Sequence, residues 1–167
     1  QPDLAAILRQ HYDAANKGDV AAALATFTAD TFYVGGSLCP PQAPCISAAA
    51  IQRELERAKR EQVTFTVSTI QVSSDTVTAL LERRAIPVRN IGFERVIDKA
   101  TVTFRGDRIS RIVRELDLTD PQTAVFANFR RVEIPQGDLR RAVEDGNVVA
   151  AMAFLTDGAV FEGWGLC

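Results

Sequence analysis

The spacing of hydrophobic residues predicts helices in the first part of the sequence. A helix over residues 3–16 would carry on one face Leu4, Ile7, Leu8, His11 and Ala15. Gly18 would end this helix, and Asp19 is placed to cap a second helix over Val20–Phe27.

A short strand and a third helix are predicted next. Phe32–Val34 favour the strand, and Gly35-Gly36 would end it. After a proline-rich loop, Ser47 is placed to cap a helix over Ala48–Arg60, whose charged residues form a solvated outer face.

From Val63 onwards apolar residues recur at every second position, which is typical of strands with one buried face. After this first strand, the strand-like runs are Thr76–Ile86, Arg95–Arg105 and Ile109–Thr119. Turn residues at 73–75 separate the first two strands, and turn residues at 105–108 separate the last two. A short helix would follow and end near Phe129. The pattern therefore predicts an α+β fold, in which three helices pack on a curved antiparallel sheet.

The end of the sequence repeats an earlier part of it. Residues 146–167 align without gaps on residues 18–39, and 9 of the 22 aligned pairs are identical. The identical pairs include both glycines at 35 and 163 and the Leu-Cys pairs at 38–39 and 166–167. We therefore predict a complete domain at residues 1–130 and a partial second copy at residues 131–167, with two helices and a short strand.

Composition and charge narrow the classes of function. Hydrophobic residues make up 47% of the chain, which is enough for an ordinary globular core. With a net charge of −2 the chain has no excess of basic residues, so we expect neither nucleic acid nor a membrane as a partner. Apolar runs such as Val20–Ala25 are also too short to cross a bilayer.

Two cysteines bracket the proline-rich loop. The spacing of Cys39 and Cys45 permits a disulfide, and two reduced buried thiols are the alternative. A disulfide would favour an extracytoplasmic location, and reduced thiols a cytoplasmic one. We expect no metal site, because neither a CxxC spacing nor a histidine pair is present. We expect no cofactor either.

Three segments of the sequence resemble the SnoaL-like, nuclear transport factor 2 superfamily. They are Tyr12–Asp19, Ala23–Asp30 and the ending from Gly106-Asp107-Arg108-Ile109 to Asp117-Leu118-Thr119-Asp120. The resemblance covers about residues 3–129 and implies a cone of helices and sheet around a pocket, commonly in a homodimer. The superfamily includes ketosteroid isomerases, polyketide cyclases, limonene-type epoxide hydrolases and non-catalytic binders, so the fold alone does not select a function.

The chain resembles ketosteroid isomerases but lacks their catalytic base. His11 falls where that family has its oxyanion-binding tyrosine, and Gly35 falls at the place of the catalytic aspartate. Asp98 lies near the place of the second acid. Without a base to move the proton next to the carbonyl, this activity is not expected.

The chain is similar to limonene-type epoxide hydrolases at Tyr33, Arg83 and Asp117. Gly35 and Ala85 stand where that family has an asparagine and a second aspartate. The match at Asp117 is ambiguous, because an alignment on Gly106 and Ile109 puts Arg114 there instead. A working epoxide hydrolase is therefore not expected either.

His11 is the candidate general acid or base, paired with Asp117 or Glu115 across the pocket. The alternative is a polar residue at the pocket mouth or a hydrogen-bonded core histidine. Glu115 and Asp117 have their own alternative, an ion pair with one of the arginines. The side chains predicted to bind a ligand are Tyr33, Arg83, Glu115 and Trp164.

We expect a small-molecule-binding or interaction domain with an apolar pocket and no complete known catalytic set. Its partners would be a small apolar ligand and a second copy of the chain. The alternative is a small hydrolase, isomerase or cyclase that uses His11 with Asp117 or Glu115. The identity of the ligand does not follow from the sequence.

Overall fold

The structure, a computed structural model, describes residues 2–131. The predicted second copy beyond Arg131, which includes Trp164, lies outside the described residues. The elements of the described part are α1 (Leu4–Asn16), α2 (Val20–Ala25), β1 (Phe27–Val34), α3 (Ala48–Arg60), β2 (Thr64–Ser73), β3 (Thr76–Arg84), α4 (Ile86–Asn90), β4 (Val96–Arg105), β5 (Arg108–Leu116) and α5 (Pro121–Arg131). Within residues 2–131, no helix has the length and apolar character needed to cross a membrane.

The predicted start signals of the helices are confirmed. The carboxylate of Asp19 accepts from the backbone N–H of Ala22 at 3.0 Å, and the Ser47 hydroxyl accepts from that of Ala50 at 3.2 Å. Each side chain thereby satisfies a backbone donor that has no partner inside its helix. Gly18 follows α1 with φ +68°, a conformation that glycine adopts without steric cost.

The five strands form one sheet in the order β1-β5-β4-β3-β2. Strands β2 to β5 pair in chain order as an antiparallel meander, in agreement with the predicted antiparallel sheet. Strand β1, however, pairs in parallel with β5, so the sheet is mixed rather than wholly antiparallel. This pairing joins Tyr33 to Ile112 and Val34 to Val113, and it makes β1 an edge strand.

Several boundaries differ from the prediction. Helix α2 ends at Ala25 rather than at Phe27, and β1 begins at Phe27 and is eight residues long. The backbone carbonyl of Thr26 accepts from the N–H of Ile109 at 2.8 Å, so pairing with β5 replaces the last helical turn. Strand β3 ends at Arg84, and Pro87 lies in the first turn of the unpredicted helix α4, where its missing N–H costs nothing.

The core lies between the inner face of the sheet and the helices. Inward side chains on β3 and β4 alternate as the period of two predicts, with Val77, Ala79 and Leu81 on β3. Helix α1 packs on β2, and helices α2 and α3 pack on β1. The predicted three-helix cover on a curved sheet is confirmed. The predicted short last helix corresponds to α5, whereas α4 was not predicted.

Asn16 ties α1 to the edge of the sheet. Its side-chain amide donates to the carbonyl of Phe65 and accepts from the N–H of Phe65, both at 2.8 Å. The amide therefore acts as a strand partner for one residue of β2. This contact brings Tyr12, one helical turn earlier, against the ring of Phe65 at a centroid distance of 5.0 Å.

Candidate functional site

A cluster of polar side chains is buried inside the otherwise apolar core. Its central members are Arg114 on β5, Asp98 on β4, Tyr33 on β1 and Tyr12 on α1, all less than 9% exposed. Buried charges of this kind need partners, because an isolated charge in a core is strongly unfavourable. The partners of each group therefore show what the cluster can bind.

A β-bulge decides which face of β5 points inward. Phe104 pairs with Ile109 and Thr103 pairs with Arg111, so Ser110 is an extra residue on β5. Ile109, Ile112 and Arg114 are consequently buried, whereas strict alternation from Ile109 would have turned Glu115 inward. The arginine, which the alternative alignment put in place of Asp117, is the residue that lies inside.

Arg114 has fewer partners than a buried guanidinium requires. Its Nη2 donates to the hydroxyl of Tyr33 at 2.7 Å, and its Nη1 lies 3.9 Å from a carboxylate oxygen of Asp98. The guanidinium carbon lies 4.8 Å from the centre of the Phe65 ring. Within residues 2–131, its Nε and Nη1 atoms have no hydrogen-bond partner, and neither does the hydroxyl of Tyr12.

Asp98 is already engaged by a second arginine. Nε of Arg83 donates to Oδ2 of Asp98 at 2.8 Å, and Nη2 lies 3.4 Å from Oδ1. Of the neighbours Arg83 and Arg84, only Arg83 faces inward, as the alternation of a strand predicts. Arg84 instead pairs with Glu82 at 2.8 Å and is half exposed.

The disulfide loop positions Tyr33. The structure contains the Cys39–Cys45 bond that the spacing permits. The backbone N–H and carbonyl of Tyr33 pair with those of Cys45, each at 2.9 Å, so the loop serves as a partner on the free edge of β1. Gly35 has φ +126°, and a Cβ there would lie 2.5 Å from Cβ of Arg114, so only glycine lets the chain pass this close to the arginine.

Glu54 on α3 forms a separate ion pair beside the cluster. Its carboxylate accepts from Arg57 at 2.5 Å and 3.0 Å and from the backbone N–H of Leu38 at 3.0 Å. Arg57 also contacts Glu61. The carboxylate of Glu54 is therefore occupied and stabilises the start of the disulfide loop.

The two buried tyrosines are neutral. Burial raises the pKa of Tyr12 and, in the same direction, the pKa of Tyr33. Both phenols therefore keep their proton at neutral pH and can donate it in a hydrogen bond.

His11 is a hydrogen-bonded core residue. Its Nδ1 lies 2.9 Å from the hydroxyl of Thr26 and 3.4 Å from the carbonyl of Ala23. The Thr26 hydroxyl donates to that same carbonyl at 2.7 Å, so it accepts from His11, and we infer that the neutral ring carries its proton on Nδ1. Burial lowers the pKa of His11 to about 4, which makes the ring a weak base.

The predicted pairing of His11 with Asp117 or Glu115 is not what the structure shows. Glu115 lies exposed on the outer face of β5, opposite Lys99. Asp117 lies beyond the end of β5, where its carboxylate accepts from the N–H and hydroxyl of Thr119 at 3.1 Å and 2.7 Å. The bulge at Ser110 is the physical reason for Glu115, which it turns outward, whereas Asp117 lies past the last residue of the strand.

The residues predicted to bind a ligand therefore divide into three groups. Tyr33 and Arg83 belong to the buried cluster, Glu115 does not, and Trp164 lies outside the described residues. The prediction gave no binding role to Arg114, Asp98 or Tyr12. The spacing of three between Ile109 and Ile112, where a regular strand has two, is the signal that could have indicated the bulge.

Two surface depressions lie away from the cluster. One, of about 430 Å³, lies beside α1 and α2 and includes Arg9, Asp13 and Lys17 in its lining. The other, of about 440 Å³, is lined by residues near the N-terminus and by Val72 and Ser74. Within residues 2–131, no group of three or more histidine, cysteine or acidic side chains is arranged to hold a metal ion.

The family follows from the sequence match and agrees with this architecture. The profile described as the SnoaL-like domain matches residues 8–112, which is more than half of the chain. The chain belongs to the SnoaL-like domain family. This match confirms the resemblance inferred from the sequence segments. No curated protein has a matching sequence.

Several solved structures share the fold. A putative polyketide cyclase from Sinorhizobium meliloti is 19% identical, with a TM-score of 0.56 over 69% of this chain and 95% of its own. A computationally designed 17-OHP binder is 15% identical, with a TM-score of 0.59 over 71% and 94%. TerC, co-crystallised with polyporic acid, is 14% identical, with a TM-score of 0.54 over 68% and 90%. At these identities the likeness establishes the fold alone.

Proposed function

We propose that this SnoaL-like domain binds a small organic molecule between α1 and the inner face of the sheet, without using His11 as a catalytic base. One observation carries the proposal: Arg114 is buried in the core with two of its three nitrogens unpaired. A guanidinium that served only the fold would be expected to have its donors satisfied by the protein. Unpaired buried donors are the kind of group that a ligand completes.

The surroundings of Arg114 suit a largely apolar molecule. Phe65 lies against the guanidinium and Tyr12, while Phe27 packs edge-on against Tyr33 with ring centroids 6.2 Å apart. A few polar groups among aromatic walls are typical of small-molecule sites. One of the similar structures is a designed binder of 17-OHP, and TerC was co-crystallised with polyporic acid, which supports a binding role for the same fold here.

Binding is favoured over catalysis because the catalytic alternative lacks an activated residue. A general base works best when its pKa lies near the working pH, and the pKa of His11 is about 4. The hydrogen bonds of its ring go to Thr26 and Ala23, and neither partner is a carboxylate. A hydrolase, isomerase or cyclase built on His11 therefore has no geometric support among residues 2–131.

The proposed site is tested by adding side-chain volume beside Arg114 and measuring the effect on binding. Ala100 is fully buried and pairs with Arg114 across β4 and β5, so Ala100→Leu places extra volume at the site. Thr101→Leu, on the exposed face one residue later, is the matched control. The full chain is titrated with Nile red, a neutral apolar dye, and urea unfolding verifies that each variant is folded.

We expect saturable dye binding in the wild type and in Thr101→Leu, and at least about tenfold weaker binding in folded Ala100→Leu. Equal binding by both variants would place the dye elsewhere and contradict the proposed site. Absence of saturable binding by the wild type, both of Nile red and of small organic acids and amides, would refute the proposed function.

Two further predictions belong to this proposal. A homodimer is proposed from the family resemblance, and sedimentation equilibrium would measure it. An extracytoplasmic location is proposed from the disulfide, because such bonds persist in oxidising compartments.

A further inference from the structure

We propose that the molecule bound inside this domain carries a carboxylate or an equivalent oxyanion, which Arg114, Tyr12 and Tyr33 hold by hydrogen bonds. This inference rests on the proposed function and names the chemical class of its ligand. It follows from which groups are unpaired and from the charge they carry.

The unpaired groups at and around Arg114 are all hydrogen-bond donors. The Nε and Nη1 atoms of Arg114 are donors with no acceptor of their own. The hydroxyl of Tyr33 accepts from Nη2 of Arg114, which leaves its own proton to be donated. The hydroxyl of Tyr12 is the third unpaired group. A ligand that completes this set must therefore present oxygen acceptors.

The charge around Arg114 favours an anion over a neutral acceptor. Two guanidinium groups, those of Arg83 and Arg114, share the single carboxylate of Asp98. Asp98 lies at hydrogen-bonding distance from Arg83, whereas its distance of 3.9 Å from Arg114 is too long for a hydrogen bond. Glu54, the other buried carboxylate, is bonded to Arg57 and Leu38. Arg57 is also paired with Glu61, so the three arginines face three carboxylates, but Arg114 alone among them has no carboxylate within hydrogen-bonding distance. An anionic ligand would supply that missing partner.

The positions of these donors allow them to act on one group. Arg114 and Tyr12 both lie against the ring of Phe65, with the guanidinium carbon 4.8 Å and the phenol ring 5.0 Å from its centre. Tyr33 contacts Arg114 directly at 2.7 Å. Hydrogen bonds to a charged acceptor are about twice as strong as neutral ones, so these donors distinguish an acid from its neutral analogue.

The experiment compares acids with their isosteric amides. Benzoate and benzamide, cinnamate and cinnamamide, and octanoate and octanamide are titrated into the full chain by calorimetry at neutral pH. The variants are Arg114→Met and Tyr12→Phe, with Arg111→Met as the control. Arg111 is exposed and stacks on Phe32 at 4.3 Å on the outer side of the sheet, so its loss changes the net charge but not the site.

We expect at least one acid to bind about tenfold or more tightly than its amide. Arg114→Met should abolish that preference and Arg111→Met should keep it. Tyr12→Phe should weaken the acid severalfold without loss of folding, because the hydroxyl it removes has no partner among the described residues. Urea unfolding of Tyr12→Phe verifies that the loss arises from binding.

The outcomes separate this inference from the proposed function. Equal affinity for acid and amide, or a preference that survives Arg114→Met, overturns the anion inference while the domain remains a binder. An equal loss in Arg111→Met would assign the preference to surface charge and overturn it as well. If neither an acid nor an amide binds and Nile red also fails, the proposed function itself is wrong.

Discussion

Acidification should destabilise the fold through one residue, His11. The ring is buried and neutral, with a pKa lowered by burial from 6.5 to about 4. In the unfolded chain the ring takes up a proton near pH 6.5, whereas in the folded chain it does so only near pH 4. The stability that the neutral ring contributes is therefore fully present above pH 6.5 and is lost as the pH falls toward 4.

The size of this effect follows from the shift in pKa. Each unit of difference between the folded and unfolded pKa is worth about 1.4 kcal/mol, so the whole loss is about 3 kcal/mol. Between pH 7 and pH 5 the free energy of unfolding should fall by about 2 kcal/mol. Asp30 and Asp120 have pKa values lowered below 3.8, so their contributions are lost only below this window.

Urea unfolding at a series of pH values between 7 and 5 measures the slope. The chain has a single histidine, so His11→Gln removes the only side chain of this type. Gln can still donate to the Thr26 hydroxyl but does not titrate, and its unfolding free energy should be nearly constant over the same range. A flat wild-type profile would show that His11 is not a buried neutral ring, and an equal slope in His11→Gln would assign the effect to another group.

Two further predictions concern the loop that positions Tyr33. Replacing both Cys39 and Cys45 by alanine should lower the free energy of unfolding, measured in urea, by about 2 kcal/mol, because the bond closes a short loop in the unfolded chain. Intact mass with and without reductant verifies that the wild-type bond is oxidised. An unchanged unfolding midpoint would contradict the stabilising role of the bond. Gly36→Ala should cost about 1–3 kcal/mol, because a Cβ there would lie 1.9 Å from a carboxylate oxygen of Glu54. Ser37→Ala, at the exposed neighbour, is the control and should be neutral.

Local features of the sequence determined most of the secondary structure. Asp19 and Ser47 cap helices because their side chains satisfy the backbone donors next to them in the chain. The period of two from Val63 onwards predicted the strands of the meander, since alternating burial leaves its own pattern in the sequence. The spacing of Cys39 and Cys45 likewise permitted the bond that the structure contains. The three segments that resemble the SnoaL-like family led to the correct fold.

Tertiary structure alone decided the parallel pairing of β1 and the contents of the interior. Helix α2 stops early because Thr26 finds a partner in Ile109, more than 80 residues away, and no local pattern records such a contact. One extra residue at Ser110 turns Arg114 inward and Glu115 outward, because a one-residue shift exchanges the faces of a strand. The sequence by itself determined the elements and the family. Only the folded chain decided that an arginine with unpaired donors, rather than an acid beside His11, occupies the interior.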